Sequence, residues 1–328
     1  MNGQSWFGRK GFPPGPAAGG SLVMVGNFDG VHRGHRFVLE RGIELARGRA
    51  LVPLVLTFDP HPSVVLGRGQ RPVLTPLERK LDLLTRLSGE LGVVVEPFTR
   101  ELAAATPLEF ARDLLLGKLG ARLVTVGQNF RFGQGRAGDA ATLAALGSEL
   151  GFEARAEALH GDGLGVISST RIRDRITAGE VGDAERLLGR PHALSGLVEH
   201  GEKRARQLGV PSANLAAIPE LLPARGVYAV LVDLLEGSAY QKLGTGVANI
   251  GVRPTLGEGV LKVEVHVLGF SGDLYGRSLR VHLVERLRDE LRFPGLPELQ
   301  AQLDRDKVDA ARCLSERRPD PDALGAWH

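Results

Sequence analysis

The stretch Leu22-Val23-Met24-Val25-Gly26-Asn27-Phe28-Asp29-Gly30-Val31-His32-Arg33-Gly34-His35 decides the fold. Its apolar residues read as a buried strand, Gly26 enters a turn, and His32 and His35 stand where a helix begins. The pattern recurs downstream. Leu51–Phe58, Gly92–Glu96, Leu123–Val126 and Phe152–Ala156 read as further buried strands. Between them, Phe37–Arg47, Leu77–Leu87, Leu108–Lys118 and Ala140–Leu150 carry apolar residues at helical spacing. Pro76 and Pro107 sit where a first helical turn tolerates proline. This alternation predicts an α/β fold: a doubly wound parallel sheet with helices on both faces.

In such a sheet, ligands bind outside the carboxyl ends of the strands. A helix N-terminus there offers free N–H groups and positive dipole to a phosphate. Gly26, Gly30 and Gly34 let the backbone approach a nucleotide closely. His32 and His35, three apart at the helix start, can contact one phosphate together. Other readings compete. A metal site would need further ligands, and no Cys or Glu-rich partner motif is adjacent. Two surface histidines are the ordinary fate of His-x-x-His, a fate weakened here by the preceding strand, the three glycines and Asp29. A Walker-type loop is excluded, because the Gly-Lys-Ser/Thr ending is missing.

After Pro191 the character changes. Ala193–Glu199, Gly226–Leu235, Lys242–Ile250, Leu261–Leu268 and Ser278–Leu287 are strand-like runs separated by Gly and Pro turns. Five or six strands without helices argue for a small antiparallel barrel or sandwich. Leu296–Glu316 reads as a closing helix, bounded by Pro294, Pro297 and Pro319. The boundary falls near residues 187–192. Residues 1–20 read as a flexible tail and 319–328 as a second one, leaving domains at 21–187 and 188–318. His200–Leu215 reads as an ordered polar loop. Lys262-Val263-Glu264-Val265-His266-Val267 alternates strictly, with Lys262, Glu264 and His266 on one face, ordinarily a solvated one.

The chain has 328 residues, enough for two domains at ~150 residues each. Its 43% hydrophobic and 24% charged content is that of a globular protein. A net charge of +3 without a long basic block leaves a nucleic-acid surface possible but does not suggest one. Scattered arginine suits small phosphate-bearing ligands equally well. Cys313 is the only cysteine, so no intrachain disulfide can form. No apolar run approaches a membrane span, and Leu22–Val25 is too short for a signal-peptide core. The expectation is a cytoplasmic protein with no membrane or nucleic-acid partner, for which transient self-association stays open.

The turn Gly26–His35 closely resembles that of the bacterial bifunctional riboflavin kinase/FMN adenylyltransferases, or FAD synthetases. His32-Arg33-Gly34-His35 is similar to the His-x-Gly-His signature of the wider nucleotidyltransferase superfamily. Further stretches carry the likeness. Thr57-Phe58-Asp59-Pro60-His61-Pro62 resembles a Phe-Glu-Pro-His-Pro element, with Asp for Glu. Val126-Gly127-Gln128-Asn129-Phe130-Arg131-Phe132-Gly133, with Gly138-Asp139, resembles the flavin-side loop. Ile167-Ser168-Ser169-Thr170-Arg171-Ile172-Arg173 resembles the second nucleotide-contacting motif. The loop ending Pro211-Ser212-Ala213-Asn214 resembles the kinase Pro-Thr-Ala-Asn, with Ser212 for Thr and with Ala205 where Gly is common. Lys262–Val267 resembles the family's Glu-x-His strand. Asn249–Thr255, Asp273–Gly276, Arg288-Asp289-Glu290 and Phe293 extend the match, and Gly269 departs from a common Asp.

The resemblance implies a six-stranded barrel with a C-terminal helix behind the nucleotidyltransferase domain. It implies two ATP-dependent steps, riboflavin to FMN and FMN to FAD, with Mg²⁺. Glu264 would be the kinase general base. His32 and His35 would stabilise charge in adenylyl transfer. Gly26, Asn27, Phe28, Asp29, Gly30, Asp59, His61, Asn129, Phe130, Ser168, Ser169, Thr170, Arg171 and Arg173 would line the adenylyltransferase site. Gly201, Arg206, Gly209, Pro211, Ser212, Asn214, Asn249 and Arg288 would line the kinase site, with Ser212 and Asn214 on Mg²⁺. Three rivals remain at this stage. One is an adenylyltransferase with a kinase weakened by Ala205 and Ser212. Another is a different nucleotidyltransferase with a flavin-binding module. The third is a flavin sensor with inactive sites, against which retained His32, His35 and Glu264 argue.

Overall fold

The structure is a computed structural model that describes residues 5–7, 19–67, 72–199, 212–236, 239–252 and 261–317. The chain divides into two units: Met1–Arg71 with Leu77–Ser168, and Pro72–Pro76 with Ser169–His328.

The first unit is built on a six-stranded sheet. Its strands are β1 (Ser5–Phe7), β2 (Ser21–Val25), β3 (Val52–Asp59), β4 (Gly92–Pro97), β5 (Ala121–Gly127) and β8 (Glu153–Glu157), in the order β1-β4-β3-β2-β5-β8. A small separate pair joins β6 (Arg131–Phe132) to β7 (Gly138–Asp139). The strands from β4 to β8 run parallel. Ser5–Phe7, in a stretch whose sequence reads as a tail, pairs antiparallel with β4 at the edge.

Helices α1 (Arg33–Gly48), α2 (Pro62–Val65), α3 (Leu77–Leu87), α4 (Arg100–Ala104), α5 (Pro107–Glu109) and α6 (Ala140–Leu150) connect the strands. α5 runs directly into a π-helical stretch, Phe110–Lys118. The start of α5 is fixed by a reciprocal cap: Thr106 Oγ1 accepts from the Glu109 N–H, and the Glu109 carboxylate accepts from the Thr106 N–H.

Alternation along β2 explains the layering. Val23 and Val25 join Leu54, Leu56, Val124 and Val126 in a core closed by Phe110, Leu114, Leu115 and Leu143. Met24 faces the other way, and a Cβ on Gly42 of α1 would lie 2.3 Å from its Sδ. Both faces are therefore covered, as right-handed crossovers running outward in two directions from β2 require. A strand buried on both faces reads as an unbroken apolar run, which is why Leu22–Val25 is legible. Each fully buried side chain of this kind contributes about 1.5–3 kcal/mol.

The second unit carries α7 (Ser169–Thr177), α8 (Val181–Leu188) and a closed antiparallel barrel. The barrel strands are β9 (His192–Glu199), β10 (Ala213–Ala216), β11 (Gly226–Glu236), β12 (Ala239–Val252), β13 (Leu261–Val267) and β14 (Ser278–Arg288), in the order β10-β13-β12-β11-β14-β9. The barrel interior holds Leu194, Ala213, Leu215, Tyr228, Val230, Ile250, Val263, Val265, Val281 and Leu283. Fully buried Tyr228 donates its hydroxyl to the Ala224 carbonyl at 2.5 Å.

Strand β10 lies within the stretch read as loop. Ala213 and Leu215 point into the core, and Asn214 and Ala216 alternate with them. Four residues are too few to show a period-two pattern beside so many turn-forming neighbours.

The C-terminal helix α9 (Leu296–Glu316) packs outside the barrel, where Ala310, Cys313 and Leu314 meet Val227, Ala229 and Val247. Arg288 on β14 anchors it: Nε and one terminal nitrogen reach the Asp306 carboxylate at 2.9 and 2.7 Å. Asp306 is only 2% exposed. Removing one partner of a buried, bidentate ion pair strands the other charge. Asp306→Ala should therefore lower the unfolding free energy of the barrel by about 3–5 kcal/mol, read by urea denaturation, and Asp304→Ala on the exposed face should not.

Candidate functional site

Strand order reverses at β2, which has β3 on one side and β5 on the other, so the turn after β2 stands at the topological switch point. Gly26 N–H is held by the Leu56 carbonyl at 3.1 Å, and the Val31 N–H bonds the Phe28 carbonyl at 3.1 Å. Phe28, Val31 and Gly30 all have positive φ, at 49°, 39° and 89°. Only glycine adopts that region without strain, and such strain concentrates at binding sites. Here burial fixes it: Phe28, Asp29, Val31 and His32 are all buried.

His32 is the N-cap of α1, which begins four residues before the apolar periodicity does. Its Nδ1 accepts from the His35 N–H at 3.2 Å. The two imidazoles stack at 3.5 Å between centroids and 17° between planes, and the Phe28 ring meets His35 edge-on at 5.2 Å. Both histidines are thus fixed at one helix N-terminus. Gly34 permits a close approach: a Cβ there would lie 2.9 Å from the Ile167 carbonyl oxygen.

The other first-site residues of the first unit follow the carboxyl ends of its strands. Asp59 ends β3, and His61 caps α2, its Nδ1 accepting from the Ser63 N–H at 3.2 Å. Asn129 is exposed just beyond β5. Phe130 is half-buried and stacks on Phe132, with centroids 5.4 Å apart, while Phe132 packs into the core. Asp139 caps α6, and the Thr142 N–H bond, with Arg131 nearby, lowers its pKa to about 2. Ser168 follows Ile167. Ser169, Thr170, Arg171 and Arg173 fall on α7, in the second unit, where Arg173 donates to the Pro72 carbonyl at 2.6 Å.

Sequence reading missed Lys80. It is 8% exposed and donates from Nζ to the Asn27 carbonyl and to Thr57 Oγ1, both at 3.2 Å. Thr57 Oγ1 itself donates to the Asn27 carbonyl at 3.1 Å. The signal was available: Lys80 lies three residues after Leu77 and four before Leu84, on the apolar stripe of α3.

In the barrel, register assembles the second cluster. Asn214 on β10 is opposite Glu264 on β13, and Glu264 is opposite Asn249 on β12. Directly paired residues share a face. Their neighbours Ala213, Leu215, Val263, Val265, Ala248 and Ile250 point inward, so this row faces outward. Lys262, two along on β13, forms an ion pair with the Glu264 carboxylate. Asn214 Oδ1 is buried and accepts no hydrogen bond among the described residues. Ser212 lies two residues earlier, half-buried. Arg288 pairs with Val227 on β11, three strand spacings or about 14 Å around the barrel from Glu264, and is engaged by Asp306. Gly201, Arg206, Gly209 and Pro211 lie outside the described residues.

A doubly wound sheet with paired histidines at its switch point, and a barrel presenting a carboxylate between two amides, define a two-site protein of nucleotide chemistry. Residues 16–171 match the FAD synthetase family and residues 188–314 the riboflavin kinase family. The bifunctional riboflavin kinase/FMN adenylyltransferase of Escherichia coli K12 is 40% identical over 92% of this chain and 95% of its own. That of Bacillus subtilis is 34% identical over 91% and 94%. A crystal structure of a protein called macrolide-efflux protein, from Streptococcus pneumoniae, superposes with a TM-score of 0.78 at 29% identity, covering 92% of this chain and 95% of that one. The chain belongs to the bifunctional riboflavin kinase/FMN adenylyltransferase family. Among the described residues no helix is long and apolar enough to cross a membrane.

Gly34→Ala should force the start of α1 away from Ile167 and cost about 1–3 kcal/mol, measured by denaturant unfolding of the first unit's transition.

Proposed function

We propose that this chain makes FAD from riboflavin in two ATP-dependent steps, one at the barrel row and one at the Gly26–His35 turn. The observation that carries this reading is the presence in one chain of both family regions, each with its own polar cluster on its own core.

At the barrel, the Glu264 carboxylate accepts the proton of the riboflavin 5′-hydroxyl as that oxygen attacks the γ-phosphorus of ATP; ADP leaves and FMN forms. Lys262, now paired with Glu264, is placed to hold the carboxylate in orientation. The buried acceptor Asn214 Oδ1 and the Ser212 hydroxyl suit Mg²⁺, which takes few protein oxygens and completes its shell with phosphate and water. Mg²⁺ bound there would offset charge on the transferring phosphoryl group. Asn249, on the far side of Glu264, is available to orient the flavin ribityl chain.

At the turn, an FMN phosphate oxygen attacks the α-phosphorus of a second ATP, and pyrophosphate leaves. The nucleophile is already anionic, so no strong base is needed. His32, His35 and the α1 N-terminus supply N–H donors and positive potential to the oxygens around the pentacoordinate phosphorus. Asn27, Phe28, Asp29 and Gly30 shape the phosphate seat. Asp59, His61, Asn129, Phe130 and Ser168 complete the adenine and flavin contacts. The two domains, 21–187 and 188–318, thereby divide the labour. The enzyme acts in the cytoplasm, where ATP is at hand, on riboflavin and FMN.

Purified protein given riboflavin, ATP and Mg²⁺ should yield FMN and then FAD, resolved by chromatography over time. Conversion of neither flavin would refute the reading. Glu264→Gln should abolish FMN formation and leave added FMN convertible to FAD, whereas His35→Ala should do the reverse, each losing about 100-fold or more in its own step.

A further inference from the structure

We infer that Lys80 is a positioning residue for adenylyl transfer: its ammonium, with the Thr57 hydroxyl, fixes the Asn27 carbonyl and so sets the turn that presents His32 and His35. This rests on the turn being the adenylyltransferase site.

The geometry is specific. The Asn27 carbonyl accepts from Lys80 Nζ at 3.2 Å and from Thr57 Oγ1 at 3.1 Å, and Nζ also donates to Thr57 Oγ1 at 3.2 Å. Three groups from three elements, the turn, β3 and α3, thus close a ring of hydrogen bonds beneath the backbone. Asn27 directly precedes Phe28, the first residue of the strained segment, whose φ of 49° needs external support. A buried lysine is rare without paired charge. Here burial pushes the Lys80 pKa down, while the carboxylates of Asp29 and Asp59 push it back up. The ammonium therefore does a second thing. It offsets two acidic groups beside a seat for polyphosphate, which would otherwise repel the incoming ligand.

The rest of the molecule explains why Lys80 stands out. Buried His282 on β14 and Asp233 on β11 bond each other at 2.9 Å and tie two barrel strands, while Glu220 accepts the Ser195 N–H at 3.0 Å and ties a loop to β9. Lys80 is set apart by bonding the backbone of the turn itself.

The test uses the full chain and follows both reactions. Lys80→Met keeps the length and removes the charge. It should lower kcat for FMN to FAD by about 10- to 100-fold with the KM values for FMN and ATP changed little, because a misplaced turn loses transition-state contacts first. Riboflavin phosphorylation should stay within about twofold of the parent, which also reports folding. Thr57→Val, which removes one of the two donors to the Asn27 carbonyl, should lower the same kcat by a smaller factor, and it decides the matter if Lys80→Met does not fold. The inference is overturned if both variants keep kcat for FAD formation, if only KM moves, or if both activities fall together with the melting temperature. His35→Ala separates the two levels. If it abolishes FAD formation and the Lys80 and Thr57 variants do not, only the role of Lys80 fails. If His35→Ala leaves FAD formation intact, the turn is not the adenylyltransferase site and the inference falls with it.

Discussion

Strand β2 is buried on both faces and hydrogen-bonded along both edges, and the first unit takes its shape from where that strand must stop. Leu22, Val23 and Met24 have no access to solvent to speak of, so the chain cannot leave the sheet before Gly26. Beyond it, the connection to α1 has to rise above the switch point within a few residues. That requirement forces Phe28, Gly30 and Val31 into left-handed conformations and sets His32 as the cap of α1. The histidine pair is therefore a consequence of the packing. A helix that must start at once after a buried strand exposes its N–H groups at the sheet's carboxyl edge, and the cap residue sits among them.

The barrel meets a different constraint. Closure removes every sheet edge and locks register around the ring. Once Val263 and Val265 point inward, Glu264 has to point outward, and its partners Asn214 and Asn249 are forced to the same face. A one-residue slip of any one of these three strands would turn its member of the row inward. The apolar interior thus specifies the polar row without any contact among its members. On the same outer wall, α9 covers Val227, Ala229 and Val247, with Val247 two residues from Asn249 on β12, and is held by Arg288 and Asp306.

These two mechanisms decide what could be read in advance. The turn is local, so its strand, glycines and histidines are contiguous and legible. Long, doubly buried strands such as β11 are equally plain, because Tyr228, Val230 and Val232 face the interior while Val227 and Ala229 face α9. Strand β10 is hidden, since its four residues follow a run of polar and turn-forming ones. The row of Asn214, Glu264 and Asn249 was legible only as separate motifs; their juxtaposition depends on register between distant strands. Lys80 was overlooked for the opposite reason. Its neighbours Leu81, Leu83 and Leu84 define a buried helix face, and a lysine on such a face is easily read as a long side chain reaching solvent, although here it reaches the Asn27 carbonyl.

The same distinction bears on how each site can be perturbed. Geometry at the turn is held by a strained backbone, by Gly34 against Ile167, and by the ring of Lys80, Thr57 and Asn27. Small changes in backbone freedom there act directly on the imidazoles, without touching the sheet's core. In the barrel, the Cα positions of Asn214, Glu264 and Asn249 are fixed by the ladder, so truncating one side chain leaves the others in place. Damage at the first site should spread from residue to residue along the turn, whereas damage at the second should stay with the group removed. A site carried on a turn can adapt to a new phosphate ligand by altering one loop. A site carried on barrel register can change its side chains freely but hardly their spacing.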